Sequence, residues 1–302
     1  VDLINCFAFP STWSAARVKK RTRISLVWTC FEPPFWHQHR ELVQRQYPYL
    51  PHLLKPIVTL DNLLVQATDR ILTISFLIRD IIRESYGRDS QVIRVGIDPE
   101  DFERADGDWV RKRYGIADKR IVLAIGPLTP IKRTMDAILA MRVISRHVPN
   151  AVLLVEGEGP LESELKSFVR KSTVLSERVI FLGRVPSDEL KNYYAASEVV
   201  LFPSIREAWG LVPFEAMLLR RAVVVSRDTG AAEVLRSGVD SIVVEPCRPD
   251  VMAEETVRLL MDDELRRSIG NRGRDLVLKE LRLERTVVEF AQALDEVAST
   301  RR

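Results

Sequence analysis

The run EAWGLVPFE, Glu207 to Glu215, places two carboxylates with seven residues between them around a glycine and a proline. It follows the apolar segment VVLFPS, so Val199–Phe202 is predicted to be a buried strand and Pro203–Ala208 the loop at its carboxyl end. A helix is expected to start near Leu211, with Pro213 in its first turn, where a missing N–H costs nothing. Ligands of open α/β sheets lie at carboxyl strand ends, and a helix start offers free amides to an anion. Gly210 has no side chain to hold a phosphate away from those amides. Carboxylates do not bind phosphate. They accept hydrogen bonds from hydroxyls that flank a diphosphate, as on a ribose and a sugar. The plainer alternative is one capping acid and one solvated helix acid.

The elements that must position these groups repeat one pattern. RIVLAIGPLTPIKR (120–133) reads as a strand, a glycine-proline loop and a lysine at a helix start. AVLLVEGEGP (151–160) is a strand ending in a Gly-x-Gly-Pro turn that begins at Gly157. RVIFLGRVPSDEL (178–190) is a third strand, with Gly183 at its end and Ser187 expected to cap the next helix. AVVVSRDTGAAEV (222–234) supplies another strand, loop and helix. Each strand end from Arg120 onward carries small or polar residues where a nucleotide would lie.

The order and spacing of these segments resemble the nucleotide-binding half of retaining, GT-B-fold glycosyltransferases of group 1, also called family 4. The two-glutamate run is similar to that family's E-x7-E signature. Upstream, TDRILTIS (68–75) and VIRVGIDPEDF (92–102) resemble the end of the family's first domain and its linker. The resemblance implies that Glu207 binds donor-sugar hydroxyls, that Glu215 holds the ribose, and that Lys132 neutralises the donor diphosphate. It places Gly126 and Gly157 in the donor site and the backbone of Gly183, Arg184 and Val185 beside the base. It turns the amides of Gly210, Leu211 and Val212 toward the phosphates. It also implies front-face departure and attack without a protein nucleophile, and no metal or other cofactor.

The chain departs from the family pattern at several positions. Pro127 stands where a second diphosphate cation, an arginine, is usual. Arg133 replaces a glycine and is a candidate to supply the lost charge from the neighbouring position. Arg220 and Ala222 replace a glycine and a proline, and a double-glycine loop is reduced to Thr229-Gly230. None of these changes touches the two glutamates.

Composition agrees with an α/β protein. The 302 residues are 46% hydrophobic with a formal net charge of +3, ordinary for a globular chain of two domains. Strands alternating with helical patterns predict parallel sheets covered by helices. There is no apolar run long enough to span a bilayer and no secretory leader pattern. Cys6, Cys30 and Cys247 lie far apart without metal spacing, and the four histidines form no ligand motif. These features lead to a cytoplasmic expectation. Acids balance the basic residues, so a nucleic-acid partner is not expected. The best glycine loop, Gly157 to Glu162, fails the dinucleotide-binding pattern at its third glycine.

The amino-terminal part reads as incomplete. Only four strands precede the linker, at 2–7, 24–30, 70–74 and 91–95, where a Rossmann domain has about six. The expectation is a fragment of a longer protein, with a natural short form as the alternative. WTCFEPPFWHQHR (28–40) resembles the family's strand-end loop at the reaction centre, with Glu32 and His37 as candidates; the alternative is simple loop packing. WSAARVKKRTRIS (13–25) has five basic residues and no acid, so it reads either as a membrane-surface helix or as a solvated basic face.

The reading is therefore two Rossmann-like domains of the GT-B class. Residues 1–105 form an incomplete first domain and 106–282 the nucleotide-sugar domain. The helix within 283–302 crosses back to the first. The expected function is metal-independent transfer of a hexose from a UDP-, GDP- or ADP-sugar to a glycan, lipid-linked or small-molecule acceptor. A non-catalytic nucleotide-sugar-binding relative, a nucleotide-sugar 2-epimerase and a generic Rossmann-like nucleotide binder are the alternatives.

Overall fold

The structure, a computed structural model, describes residues 2–38, 47 and 49–300. Two compact units are present: residues up to Val95 together with those from Leu283 onward, and Gly96–Arg282 between them.

The first unit is built on β1 (Leu3–Phe7), α1 (Ser11–Thr22), β2 (Ser25–Cys30), α2 (Phe35–Gln38) and α3 (Leu50–Val65). Then come β3 (Arg70–Thr73), α4 (Phe76–Tyr86) and β4 (Gln91–Val92). All pairings are parallel, in the order β1-β2-β3-β4. Every residue of β2 is buried, as expected of a central parallel strand covered on both faces. Ser75 caps α4 by accepting the amide of Ile78 at 3.2 Å, which fixes the turn from strand to helix. The fourth strand is shorter than expected: Ile93 still bonds Thr73, but the ladder stops at Val92.

The second unit opens with α5 (Gly107–Tyr114), capped by Asp106, and β5 (Arg120–Ile125). It continues through α6 (Thr134–His147), β6 (Ala151–Glu156), α7 (Glu162–Arg170), α8 (Thr173–Ser176), β7 (Val179–Gly183) and α9 (Leu190–Ala196). Next are β8 (Val199–Phe202), α10 (Val212–Leu218), β9 (Ala222–Ser226), β10 (Ile242–Val244), α11 (Pro249–Met261) and α12 (Asp263–Glu280). The final helix, α13 (Leu283–Ser299), belongs to the first unit, where Ala293 and Val297 pack with Val27, Leu72 and Ile93.

The second sheet runs β10-β9-β8-β5-β6-β7, all parallel. Strand order reverses between β5 and β8, so the loops after these two strands open at a topological switch point. β10 is a sixth strand that the sequence reading passed over; at three residues it is too short to show a period.

Two expectations are corrected. Ser187 does not cap a helix. Residues 187–189 form a turn, with Glu189 N–H donating to Pro186 O at 3.0 Å, and α9 starts only at Leu190. The division between units falls after Val95 rather than after residue 105. Residues 96–105 are held by the second unit: Ile97 N–H bonds Leu281 O at 2.9 Å, and Lys191 Nζ reaches Asp101 O at 3.3 Å.

Among the described residues the three cysteines are free thiols, and burial pushes the Cys6 thiol up to about 11. No helix among them is long and apolar enough to cross a membrane.

Candidate functional site

The carboxyl ends of β5 and β8 bring two distant residues together. After β5 the chain runs through Gly126-Pro127 into a short 3-10 turn, Pro130–Lys132, and Arg133 takes a left-handed φ of 51° before α6 begins. After β8 it passes through Pro203 and Ser204 to Glu207. The two loops are stitched by Ile205 N–H to Ile131 O at 2.9 Å. Lys132 Nζ thereby lies 2.6 Å from Glu207 Oε1, and both side chains are largely shielded from solvent. The other carboxylate oxygen, Oε2 of Glu207, is buried and has no hydrogen-bond partner among the described residues. Buried acceptors are seldom left unmatched in folded proteins.

Glu207 is fixed from a third side. Its carbonyl accepts Gly230 N–H at 2.9 Å, and it forms an isolated bridge with Thr229. The preceding Arg206 has a left-handed φ of 49°, with its amide on Asp228 Oδ2 at 3.2 Å. A non-glycine residue held in that region costs about 1–2 kcal/mol, so the surrounding contacts over-determine where Glu207 points.

Phe202, the last residue of β8, forms a floor. Lys132 Nζ sits 5.6 Å from its ring centroid. Gly210 lies on the same ring with φ of 90°; a Cβ there would fall 2.4 Å from Phe202 Cζ. Only glycine lets the backbone at position 210 lie this close to the aromatic ring. Val212 then starts α10, with Pro213 in the first turn as the sequence predicts.

Glu215 lies in the first turn of α10 and accepts a short hydrogen bond from the Tyr194 hydroxyl on α9. Burial raises the Glu215 carboxyl above the ordinary carboxylate range, and the Tyr194 hydrogen bond opposes that rise. The same arrangement, burial first and Glu215 second, pushes the Tyr194 phenol well above its usual value.

The loops after β6 and β7 are laced to the loop after β5. Gly126 N–H donates to Glu156 O at 3.2 Å, Gly157 N–H to Gly183 O at 2.9 Å, and Leu128 N–H to Glu158 O at 2.9 Å. A Cβ on Gly157 would lie 2.1 Å from Gly126 O, so the two loops meet only because that residue is glycine. The Glu156 carboxylate accepts Val185 N–H at 3.2 Å and holds the Gly183–Val185 backbone. Burial raises its pKa, while the Val185 and Gly126 amides and the Arg184 charge work the other way.

The structure thus gathers Gly126, Lys132, Glu207 and Gly210 at the switch point, with Gly157 and Gly183–Val185 along the β6 and β7 ends. Arg133 is directed elsewhere: its guanidinium makes two bonds, at 2.9 and 2.8 Å, to Asp136. Sequence reading missed Glu156, Tyr194, Phe202 and Ser204, whose buried Oγ has no partner among the described residues. Glu156 carried a usable signal, an acid closing an otherwise apolar strand. Tyr194 and Phe202 carried none, because both sit in apolar patterns that read as core.

In the first unit, Glu32 is exposed in the loop after β2. His37 is partly buried on α2, its ring 4.9 Å from that of Tyr86. His39 and Arg40 of the same segment lie outside the described residues. In α1, Ala16 is buried and Trp13 Nε1 donates to the buried Asp61 at 2.8 Å, so these two residues are used inside the fold, while Val18 is exposed. Among the described residues no three His, Cys, Asp or Glu side chains come together as a metal site.

Residues 108–276 match the model of the family described as glycosyl transferases group 1. The chain belongs to this family. It is 28% identical over 238 residues to the N-acetyl-alpha-D-glucosaminyl L-malate synthase of Bacillus anthracis, an alignment of 77% of this chain and 61% of that protein. The group 1 chain is similar in structure to Anabaena HepE, solved in complex with UDP, with TM-score 0.83 at 19% identity over 98% of this chain and 79% of the other. The C-terminal domain of the group 1 protein LpcC from Francisella tularensis matches in full, over 62% of this chain, at 27% identity and TM-score 0.57. The fold is the GT-B type of these glycosyltransferases. The chain spans about three fifths of the length of the curated relative from Bacillus anthracis (61%).

Proposed function

We propose that this chain carries the donor site of a retaining hexosyltransferase that uses a nucleotide-diphosphate sugar. The observation that carries the proposal is the Lys132–Glu207 pair at 2.6 Å, with the second Glu207 oxygen buried and without a hydrogen-bond partner among the described residues. That oxygen is suited to accept a hydrogen bond from a sugar hydroxyl, and the adjacent ammonium to take the charge of a departing diphosphate. Glu215, beside Tyr194, would accept a ribose hydroxyl. Glu156, through the Val185 amide, would set the backbone that meets the base.

In this reading the anomeric carbon–phosphate oxygen bond breaks as the acceptor hydroxyl attacks from the same face. Its proton passes to the leaving phosphate oxygen, and no protein nucleophile or metal takes part. Glu207 orients the sugar, which lowers the entropic part of the barrier. The UDP bound to HepE and the GDP-mannose named for a Mycobacterium tuberculosis relative 26% identical to this chain make UDP- and GDP-sugars the first donors to test. Sugar, acceptor and turnover belong to the whole protein and are part of the proposal. Membrane contact through residues 13–25 alone is left out of it, since Trp13 and Ala16 are turned into the fold.

A second reading, a nucleotide-sugar binder without turnover, is favoured by one observation. Pro127 supplies no cation and Arg133 is committed to Asp136, so of the three positions considered for the diphosphate charge, Lys132 alone among the described residues keeps a cationic side chain at the switch point. Thermal unfolding of the chain with UDP-, GDP- and ADP-sugars tests the shared part, because a ligand of the folded state raises the midpoint. A rise with one nucleotide series, lost in Glu215→Ala, supports the donor site. No rise with any series overturns it. Release of free nucleotide from the stabilising donor separates transferase from binder.

A further inference from the structure

The ends of β6 and β7 present two opposite charges whose side chains have no role in the donor site as described so far. Glu158 lies between Gly157 and Gly159, and both glycines press against the loop after β5. A Cβ on the first would fall 2.1 Å from Gly126 O, and on the second 2.6 Å from Leu128 O. The carbonyl of Glu158 accepts Leu128 N–H at 2.9 Å. Its backbone is held from both sides while its side chain stays exposed. Arg184 is fixed in a similar way. Gly183 O accepts Gly157 N–H at 2.9 Å, Val185 N–H is taken by Glu156 at 3.2 Å, and the guanidinium between them is exposed.

Gly183 lies beside both charges. Apart from its chain neighbours, a Cβ built on it would meet one atom within 4 Å, Oε1 of Glu158 at 3.8 Å. The rest of that face is open. Among the described residues neither the Glu158 carboxylate nor the Arg184 guanidinium makes a hydrogen bond or an ion pair. The open face adjoins the acid assigned to the ribose. Tyr194, which bonds Glu215, is raised first by burial and then by Glu215, and it also feels Glu156. Glu156, raised chiefly by burial, in turn feels Arg184 and Glu158.

We propose that Glu158 and Arg184 read the nucleobase and select guanine, so that the donor is a GDP-sugar. This rests on the donor site proposed above and adds the choice of base. Guanine presents two donors side by side, N1–H and the N2 amine, which a carboxylate accepts with both oxygens. It also presents two acceptors, O6 and N7, which a guanidinium meets. Uracil has one N–H between two carbonyls, so a carboxylate aimed at it sets an oxygen against a lone pair. Adenine has its amine beside the bare N1, with the same conflict. A site built to receive hydrogen bonds rejects analogues that cannot supply them. The Val185 amide, already bonded to Glu156, is not free to donate to a uracil carbonyl.

Isothermal titration of the chain with GDP, inosine diphosphate, UDP and ADP tests the choice of base. Inosine diphosphate is GDP without the N2 amine. GDP should bind at least about tenfold more tightly than each of the other three, the value of one hydrogen bond to a charged group. Glu158→Gln should remove most of the advantage of GDP over inosine diphosphate and leave UDP within about twofold. The Glu158 side chain makes no bond in the fold, so circular dichroism of this variant should be unchanged. Arg184→Gln should weaken GDP and inosine diphosphate alike, since both keep O6 and N7. UDP or ADP bound as tightly as GDP would overturn the choice of guanine and leave the donor site standing. So would equal affinity for GDP and inosine diphosphate, or a GDP affinity indifferent to Glu158→Gln. Glu215→Ala should weaken every nucleotide alike, which reports on the donor site itself. No binding of any nucleotide would overturn both readings.

Discussion

Lys132 Nζ and Glu207 Oε1 are 2.6 Å apart although 74 residues separate them in the chain (133 to 206), and the pair lies where the sheet reverses its strand order. Each side chain is the other's counter-charge in a largely shielded place. Removing one strands the other. Lys132→Met should lower stability by about 1–3 kcal/mol, the cost of an unmatched shielded polar group, measured by urea unfolding. The double change with Glu207→Gln should recover part of that loss. If the two single losses simply add, the pair contributes nothing by being a pair.

Glu207→Ala and Glu215→Ala should behave differently toward nucleotide. On the proposed roles, Glu207→Ala leaves affinity for free nucleoside diphosphate within about twofold and removes sugar-dependent stabilisation. Glu215→Ala should weaken both by about tenfold, the value of a hydrogen bond to a charged group. Isothermal titration with nucleotide and with its sugar decides between them. Equal effects of the two changes would sink the assignment.

The raised Glu215 carboxyl makes a prediction about pH. Where the folded pKa exceeds the unfolded one, the folded chain holds more protons across the window between them. Stability therefore falls as pH rises through that window, just above the ordinary carboxylate range, and is level above it. Glu215→Gln should flatten this segment of the stability–pH curve, with Glu156→Gln removing a similar contribution from the second raised acid. Tyr194→Phe removes the hydrogen bond that opposes the rise, so it should extend the window upward. Urea midpoints between pH values of about 4 and 8 measure all three.

Gly210 has no room for a side chain. With φ of 90° and Phe202 Cζ 2.4 Å from a built Cβ, Gly210→Ala should cost about 2–4 kcal/mol from backbone strain and overpacking together. Nucleotide affinity should fall with it, since the Gly210–Val212 backbone must move off the ring. Unchanged stability would mean that the ring swings away freely.

Arg220 shows the opposite case. It occupies a left-handed φ of 58° at the end of α10, is exposed, and its guanidinium makes no hydrogen bond among the described residues. Arg220→Gly should raise stability by about 0.5–1 kcal/mol, because glycine adopts this conformation without a Cβ penalty. The midpoint of thermal unfolding reports it directly.

Local chemistry in the chain was enough to read the parallel α/β class, most strands of both sheets, the proline at the start of α10 and the family. These depend on periodicity of two, on buried apolar runs and on residues close in sequence. Ser187 was misread as a cap because a serine before a helical stretch looks the same whether the helix begins at the next residue or after a turn. What folding alone decided is which distant groups meet. Lys132 reaches Glu207 only because β5 and β8 are neighbours. Tyr194 reaches Glu215 only because α9 packs beside α10, and Arg133 turns to Asp136 rather than toward Lys132. The outward row of exposed apolar residues on α3, Leu53, Ile57, Leu60 and Leu63, depends likewise on which side of that helix α1 and α4 already cover. An amphipathic pattern in one dimension shows that a helix has an apolar side, and only packing in three says which side faces water.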